Sequence, residues 1–288
     1  MAVTFPEFEN EALKLGFSEA MKRTAVQLLW IVLLAACGGG GDASTPVVPV
    51  ATTPAAPVSP PPAPIAADIA VLMMGNSHTS LNRLPDTLAT MLRAGHPGKT
   101  VAVAVAPGFM FLDERLAHGP SVALLRGQRW SHVVLQAQKY STSGTRSYST
   151  AEAEQLIRMA RVSGAVPVMF PEWARLGIAE TGTIYDLHVS IAVTEPACVA
   201  PIGQAWDRAL ARDPTLTLHA SDGNHSAAAG AFLTALVLYA TLTGGSPAAL
   251  PALDVVGVDG ATQARLRTVA AETVQAVAPR RMCPKDPI

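Results

Sequence analysis

IAVLMM, residues Ile69–Met74, runs directly into Gly75-Asn76-Ser77-His78-Thr79, and this junction decides the fold. Six apolar residues without alternation, bounded by turn formers, describe a strand buried on both faces, as in a parallel sheet covered by helices. The same grammar repeats outward from it. Residues 84–92 have helical spacing and stop at Gly95-His96-Pro97-Gly98. VAVAVA at 101–106 reads as a second strand, HVVLQ at His132–Gln136 as a third and VPVMF at Val166–Phe170 as a fourth, with Pro167 near its start. A helix is expected over 150–162, with Thr150 as its cap and Glu152 and Glu154 in the first turn. Residues 200–211 read as a helix, 216–219 as a short fifth strand, 226–243 as a buried alanine-rich helix and 263–277 as a final amphipathic helix. Strand and helix in strict alternation predict an α/β domain with helices on both faces of a parallel sheet. Ligands of such a sheet bind beyond the carboxyl ends of its strands, so 75–79 is the first place to look for chemistry.

Composition narrows what that chemistry is. The chain has 288 residues, 49% of them hydrophobic and 15% charged, far too apolar for a disordered chain. Of 21 basic and 22 acidic residues, the first 36 positions hold Lys14, Lys22 and Arg23 against Glu7, Glu9, Glu11 and Glu19. The remainder carries 18 of each, and a neutral chain is no basic nucleic-acid binder. Three cysteines without a CxxC pair exclude a zinc finger or a disulfide framework.

The N-terminus reads as an address. Met21-Lys22-Arg23 is a short positive region ahead of AVQLLWIVLLAA at 25–36. Twelve apolar residues are too few for a spanning helix, which needs about 20, but suit a signal-peptide core. Leu34-Ala35-Ala36-Cys37 resembles the lipobox of bacterial lipoproteins. That resemblance implies lipidation of Cys37, a membrane lipid anchor and, with Gly38 following, the outer membrane. The alternative is a plain cleaved signal peptide with Cys37 incidental. Residues 1–20 have the wrong charge for a signal peptide and are expected to be a mis-assigned gene start. The stretch 37–67 is a linker, with eight prolines between Pro46 and Pro64 that favour extended polyproline II. The domain is expected over 68–288, long enough for one sizeable core.

Two short loops carry the candidate chemistry. In Gly75-Asn76-Ser77 the glycine permits a sharp turn, placing Ser77 above the sheet with its own N–H aimed where an oxyanion would develop. In Asp222-Gly223-Asn224-His225 the carboxylate and imidazole are three apart, so that Asp222 can hold His225 while its far nitrogen faces Ser77. Each alone is weak, since a Gly-x-Ser is usually a turn and an Asp-x-x-His a helix cap. Together they stand at the first and last strand ends.

Met74-Gly75-Asn76-Ser77 resembles the first block of the SGNH, or GDSL-type, serine hydrolases, with Asn76 where Asp is commoner, and Asp222-Gly223-Asn224-His225 resembles the last. Ala205-Trp206, Ala229-Gly230, Leu242-Thr243-Gly244 and Ser246-Pro247 extend the likeness, which covers roughly residues 69–247. It implies a three-layer α/β/α sandwich, flavodoxin-like, with about five parallel strands. It also implies ester hydrolysis by Ser77, His225 and Asp222 without metal or cofactor. Gly108 matches the glycine whose N–H joins that of Ser77 in the oxyanion hole; the alternative is that Pro107-Gly108 is simply a turn. The Gly-x-Asn-Asp block is absent, for no asparagine lies between Asn82 and Asn224. The amide of Gln136 can donate the same bond, with Gln138 as second choice.

Other residues carry two readings. His78 is assigned packing or the substrate rim. Glu172-Trp173 would line the site, or Trp173 fill the core. Residues 140–148 (YSTSGTRSY) form a lid or plain surface. His96, His118, His132 and His188 have no metal-ligand spacing, and Asp186 with His188 builds no second triad. Cys198 and Cys283 form a disulfide in an oxidising compartment, or stay separate thiols. The partner expected is a small-molecule or glycan ester, such as acetylated carbohydrate, with no nucleic acid. The same fold also suits a non-catalytic glycan-binding lipoprotein, or acyl transfer by the same triad.

Overall fold

The computed structural model describes residues 66–285. The readings made for the signal peptide, Cys37 and the linker up to residue 65 lie outside the described residues.

Strands β1 (Ile69–Met74), β2 (Val101–Val105), β3 (His132–Gln136), β4 (Val166–Phe170) and β5 (Cys198–Val199) form one sheet in the order β2-β1-β3-β4-β5. Every neighbouring pair is parallel. Helices α1 (Ser77–Ser80) and α2 (Leu84–Gly95) follow β1; α3 (Leu112–Ala117) and α4 (Gly119–Gly127) follow β2. Helix α5 (Ala151–Val162) precedes β4 and α6 (Thr181–Thr194) precedes β5. The chain ends with α7 (Ile202–Arg212), α8 (Ala228–Thr243) and α9 (Gly260–Ala276).

Alternate residues of β1 feed two separate cores. Val71 and Met73 pack with Leu88 and Leu92 of α2, Trp206 of α7, Leu233 and Leu236 of α8 and Leu266 of α9. Ala70, Leu72 and Met74 pack with Leu112 of α3, Leu125 of α4, Leu156 and Ile157 of α5 and Ile191 of α6. That two-sided burial is why the strand reads as an unbroken apolar run. The result is a three-layer α/β/α sandwich. Because β1 lies between β2 and β3, its connection leaves on one side and the chain returns on the other. The carboxyl end of β1 therefore stands at a topological switch point, where a crevice opens.

The fifth strand is a correction. Residues 216–219 are not in the sheet; His219 makes only an antiparallel bridge to Ser226. The edge strand is Cys198–Val199, too short to show a period, and its outer side is met by the C-terminal tail through Val199 N–H to the Pro279 carbonyl, 2.9 Å. Cys198 and Cys283 are joined by a disulfide, closing a loop of 85 residues. Thr150 precedes α5 without capping it; its hydroxyl bonds Glu154 Oε1 instead, 2.9 Å. Helices α3, α4 and α6 were not read from the sequence. No described helix is long and apolar enough to cross a membrane.

Candidate active site

The chain leaves β1 through Gly75 and enters α1 at Ser77. A Cβ on Gly75 would collide with Thr79 Oγ1 and Gln136 Oε1, so only glycine lets the turn close against the end of β3. Asn76 caps α1, its Oδ1 accepting the His78 N–H at 3.0 Å. Ser77 is thus the first residue of a helix, and its N–H is one that the helix itself leaves without a partner.

Ser77 Oγ lies 2.8 Å from His225 Nε2. On the far side of the ring, His225 Nδ1 lies 2.5 Å from Asp222 Oδ2. The other oxygen, Asp222 Oδ1, accepts the N–H groups of Asn224 and His225, both at 2.9 Å. The His225 side-chain bond, with those two N–H bonds, holds the Asp222 carboxyl well below the usual carboxylate range. An ionised Asp222 fixes the imidazole with Nδ1 protonated and Nε2 free to accept a proton from the Ser77 hydroxyl. The structure brings these three side chains together, although the Asp222 loop is enclosed by the His219–Ser226 bridge and does not stand at a strand end.

The loop is held from several sides. Trp173 Nε1 donates to the Asn224 carbonyl at 2.8 Å, and Leu176 N–H to the Gly223 carbonyl at 2.8 Å. His219 Nε2 meets the Ala174 carbonyl at 2.9 Å. Ala220 N–H bonds the His225 carbonyl at 2.8 Å. Asn82, in left-handed conformation (φ 49°), donates to the Ser226 carbonyl and links the turn after Ser77 to the residue after His225. Trp173 is buried and stacks on Trp206 with centroids 4.4 Å apart, so core is the better description of it. His78 is buried as well, against Trp173 and stacked on His225 at 4.9 Å. It packs behind the imidazole and does not line a rim.

Gln136 and Gln138 are corrections. Gln136 is fully buried; its Oε1 accepts the Asn76 N–H and the Thr79 hydroxyl, each at 2.9 Å. Since a backbone N–H can only donate, the amide orientation is settled, and Nε2 is directed to Glu172 Oε2 at 2.7 Å. This amide braces the Ser77 turn from behind; it is not a donor to an oxyanion. Gln138 Nε2 is spent on the Lys139 and Ser149 carbonyls. Glu172 reaches the site only through Gln136. The loop at 140–148 is tied down, with the Thr142 hydroxyl donating to Glu180 Oε2 at 2.8 Å and Arg175 to both residues.

Gly108 has φ 77°, a conformation that favours glycine, and it is exposed at the end of β2. Sequence reasoning missed its partner, Arg115. This fully buried guanidinium in α3 donates to the carbonyls of Gly75, Pro107 (2.6 Å) and Gly108 (2.7 Å) and to Ser121 Oγ (2.9 Å). Burial lowers its pKa from the ordinary arginine value. In the sequence FLDERLA it reads as one of several surface charges, and no signal there marks it. Among the described residues, no group of three or more His, Cys, Asp or Glu could hold a metal ion.

No family model matches the chain, and no curated protein matches it. Solved structures do. A DUF4886 family protein from Bacteroides uniformis is 16% identical with a TM-score of 0.59, covering 74% of this chain and 96% of its own. A candidate SGNH hydrolase from Slackia heliotrinireducens is 26% identical with a TM-score of 0.48, covering 59% and 97%. An acetyl xylan esterase from Geobacillus stearothermophilus is 12% identical with a TM-score of 0.44, covering 60% and 92%. The likeness to the DUF4886 family protein is one of fold, a parallel sheet of five strands between two layers of helices.

Proposed function

We propose that this chain is a serine ester hydrolase whose nucleophile is Ser77. The observation that carries the reading is the unbroken hydrogen-bond chain from Ser77 Oγ through His225 to Asp222 at the switch point of the sheet. His225 Nε2 takes the Ser77 proton as Oγ attacks the ester carbonyl. The tetrahedral oxyanion faces the N–H groups of Ser77 and Gly108, both backbone donors. His225 then protonates the leaving alcohol, and water repeats the cycle on the acyl-enzyme to release the acid and restore Ser77. Asp222 stays ionised and stabilises the transient imidazolium.

The substrate class proposed is a small acyl group, such as acetyl, on a carbohydrate. The Phe109 ring, 65% exposed beside Gly108, offers an apolar face on which a sugar can pack. The test is acetate release from acetylated sugars and from aryl acetate, with no acceptor but water, by wild type and Ser77→Ala. Release by wild type alone is expected. A folded wild-type chain that releases nothing from any ester, while binding glycan, would replace this reading with a non-catalytic one. Release that needs an added sugar acceptor would indicate acyl transfer.

A further inference from the structure

We propose that Arg115 is a positioning residue of the oxyanion site, holding the Gly108 N–H and the Ser77 turn in one fixed relation; the proposal rests on the ester-hydrolase reading above.

Peptide planes fix where these N–H groups point. No cis peptide occurs among the described residues, so in each unit the C=O and N–H point opposite ways. The Pro107 carbonyl accepts from Arg115 Nη1, which turns the N–H of the same unit, that of Gly108, away from the guanidinium. No acceptor among the described residues takes that N–H. The Gly108 carbonyl accepts from Nη2, so the units on both sides of Gly108 are pinned by one side chain. The third carbonyl belongs to Gly75, whose peptide unit ends in the Asn76 N–H bound by Gln136. That unit is therefore gripped at both ends, one residue before Ser77. Met110 N–H also bonds the Gly75 carbonyl, at 3.3 Å, closing the two loops on each other.

A planar guanidinium presents its donors in a rigid fork, whereas a lysine ammonium is a single point on a flexible stem. Only the fork can bridge three carbonyls from two loops at once. The charge also matters. Arg115 bonds carbonyls and one hydroxyl, with no carboxylate among its hydrogen-bond partners, so a buried positive charge lies behind the turn where negative charge develops. Ser121, which takes the other Nη1 proton, is itself held by His118 Nδ1 at 2.8 Å.

The experiment compares wild type, Arg115→Lys and Ser121→Ala on an aryl acetate, with turnover normalised to active sites titrated by a fluorophosphonate. The Arg115→Lys variant should lose about 10- to 100-fold in kcat per titrated site, somewhat less than loss of a whole oxyanion donor. KM should stay within about threefold, and the pH profile of kcat/KM should match wild type, because the Ser77–His225–Asp222 chain is untouched. An arginine that merely supports the fold would lower Tm and the number of titratable sites but leave kcat per site unchanged. That result in a folded Arg115→Lys overturns the proposal. Should Arg115→Lys fail to fold, Ser121→Ala decides. A two- to fivefold lower kcat per site at constant KM supports the positioning role, and an unchanged kcat overturns it. A wild type that neither turns over nor is labelled would sink the hydrolase reading itself, an outcome distinct from all of these.

Discussion

The turn that bears Ser77 and the loop that bears His225 meet at the Ser77–His225 hydrogen bond but are built differently. Behind Ser77 stand fully buried polar groups: Arg115 on the Gly75 carbonyl, and Gln136 on the Asn76 N–H, itself bonded to the nearly buried Glu172. Around His225 the bonds lie nearer solvent, with the side chains of His225 and Asp222 23% and 49% exposed. The first region is positioned by a network that costs a great deal to break. The second is positioned by many modest bonds to the 173–176 segment and to its own backbone. The physical lesson concerns redundancy. An accessible base and carboxylate can be reached by substrate and solvent, while the nucleophile's backbone donors need a rigid, dry foundation.

Substitutions can break that contrast. The largest effect falls where the two regions join: Ser77→Ala or His225→Ala should lower kcat by more than about 10⁴-fold, and Asp222→Asn by about 10⁴-fold, with Tm little changed. Steady-state rates on an aryl acetate read this. Next comes Gln136→Leu, which strips a partner from the Asn76 N–H, the Thr79 hydroxyl and the Glu172 carboxylate together. It should destabilise the fold by about 3–5 kcal/mol in denaturant titration. An effect under about 1 kcal/mol would mean the Ser77 turn does not depend on that network.

A control outside both regions is His188, in α6, whose buried ring lies 2.7 Å from the Ile184 carbonyl. Burial pushes its pKa down to about 4 from 6.5. The unfolded chain therefore binds its proton first as pH falls, so stability is lost between about pH 6.5 and 4, by roughly 3 kcal/mol in all. His188→Leu should reduce the acid-side slope in denaturant titrations at successive pH values without altering kcat at neutral pH; the part that remains belongs to His132, whose pKa burial also lowers to about 4. A smaller effect bears on the His225 loop: Trp173→Phe removes the bond to the Asn224 carbonyl and part of a buried ring stacked on Trp206, and should cost about 2–3 kcal/mol, with kcat within tenfold.

Much of this was legible in the sequence, and what was not has physical causes. β1, the Ser77 turn and the Asp222–His225 spacing could be read because a doubly buried strand and a local loop leave continuous patterns. The 216–219 stretch misled because LTLH is extended and alternates, yet its pairing serves to close the His225 loop through the His219–Ser226 bridge. The true β5 needs two residues and a disulfide, too little for any period. Gln136 is legible as a polar side chain at the right strand end, but its task is not, since sequence cannot say which way an amide faces. Arg115 was invisible: a charged residue in a helix reads as surface, and only the fold reveals three carbonyls converging on it.

The most direct test of the central claim, that Ser77 is an activated nucleophile, is fluorophosphonate labelling of the purified chain with peptide mapping by mass spectrometry. One phosphonyl adduct is expected, on Ser77, lost in Ser77→Ala and strongly slowed in His225→Ala. A folded wild-type chain that takes no label, or takes it at another serine, would contradict it.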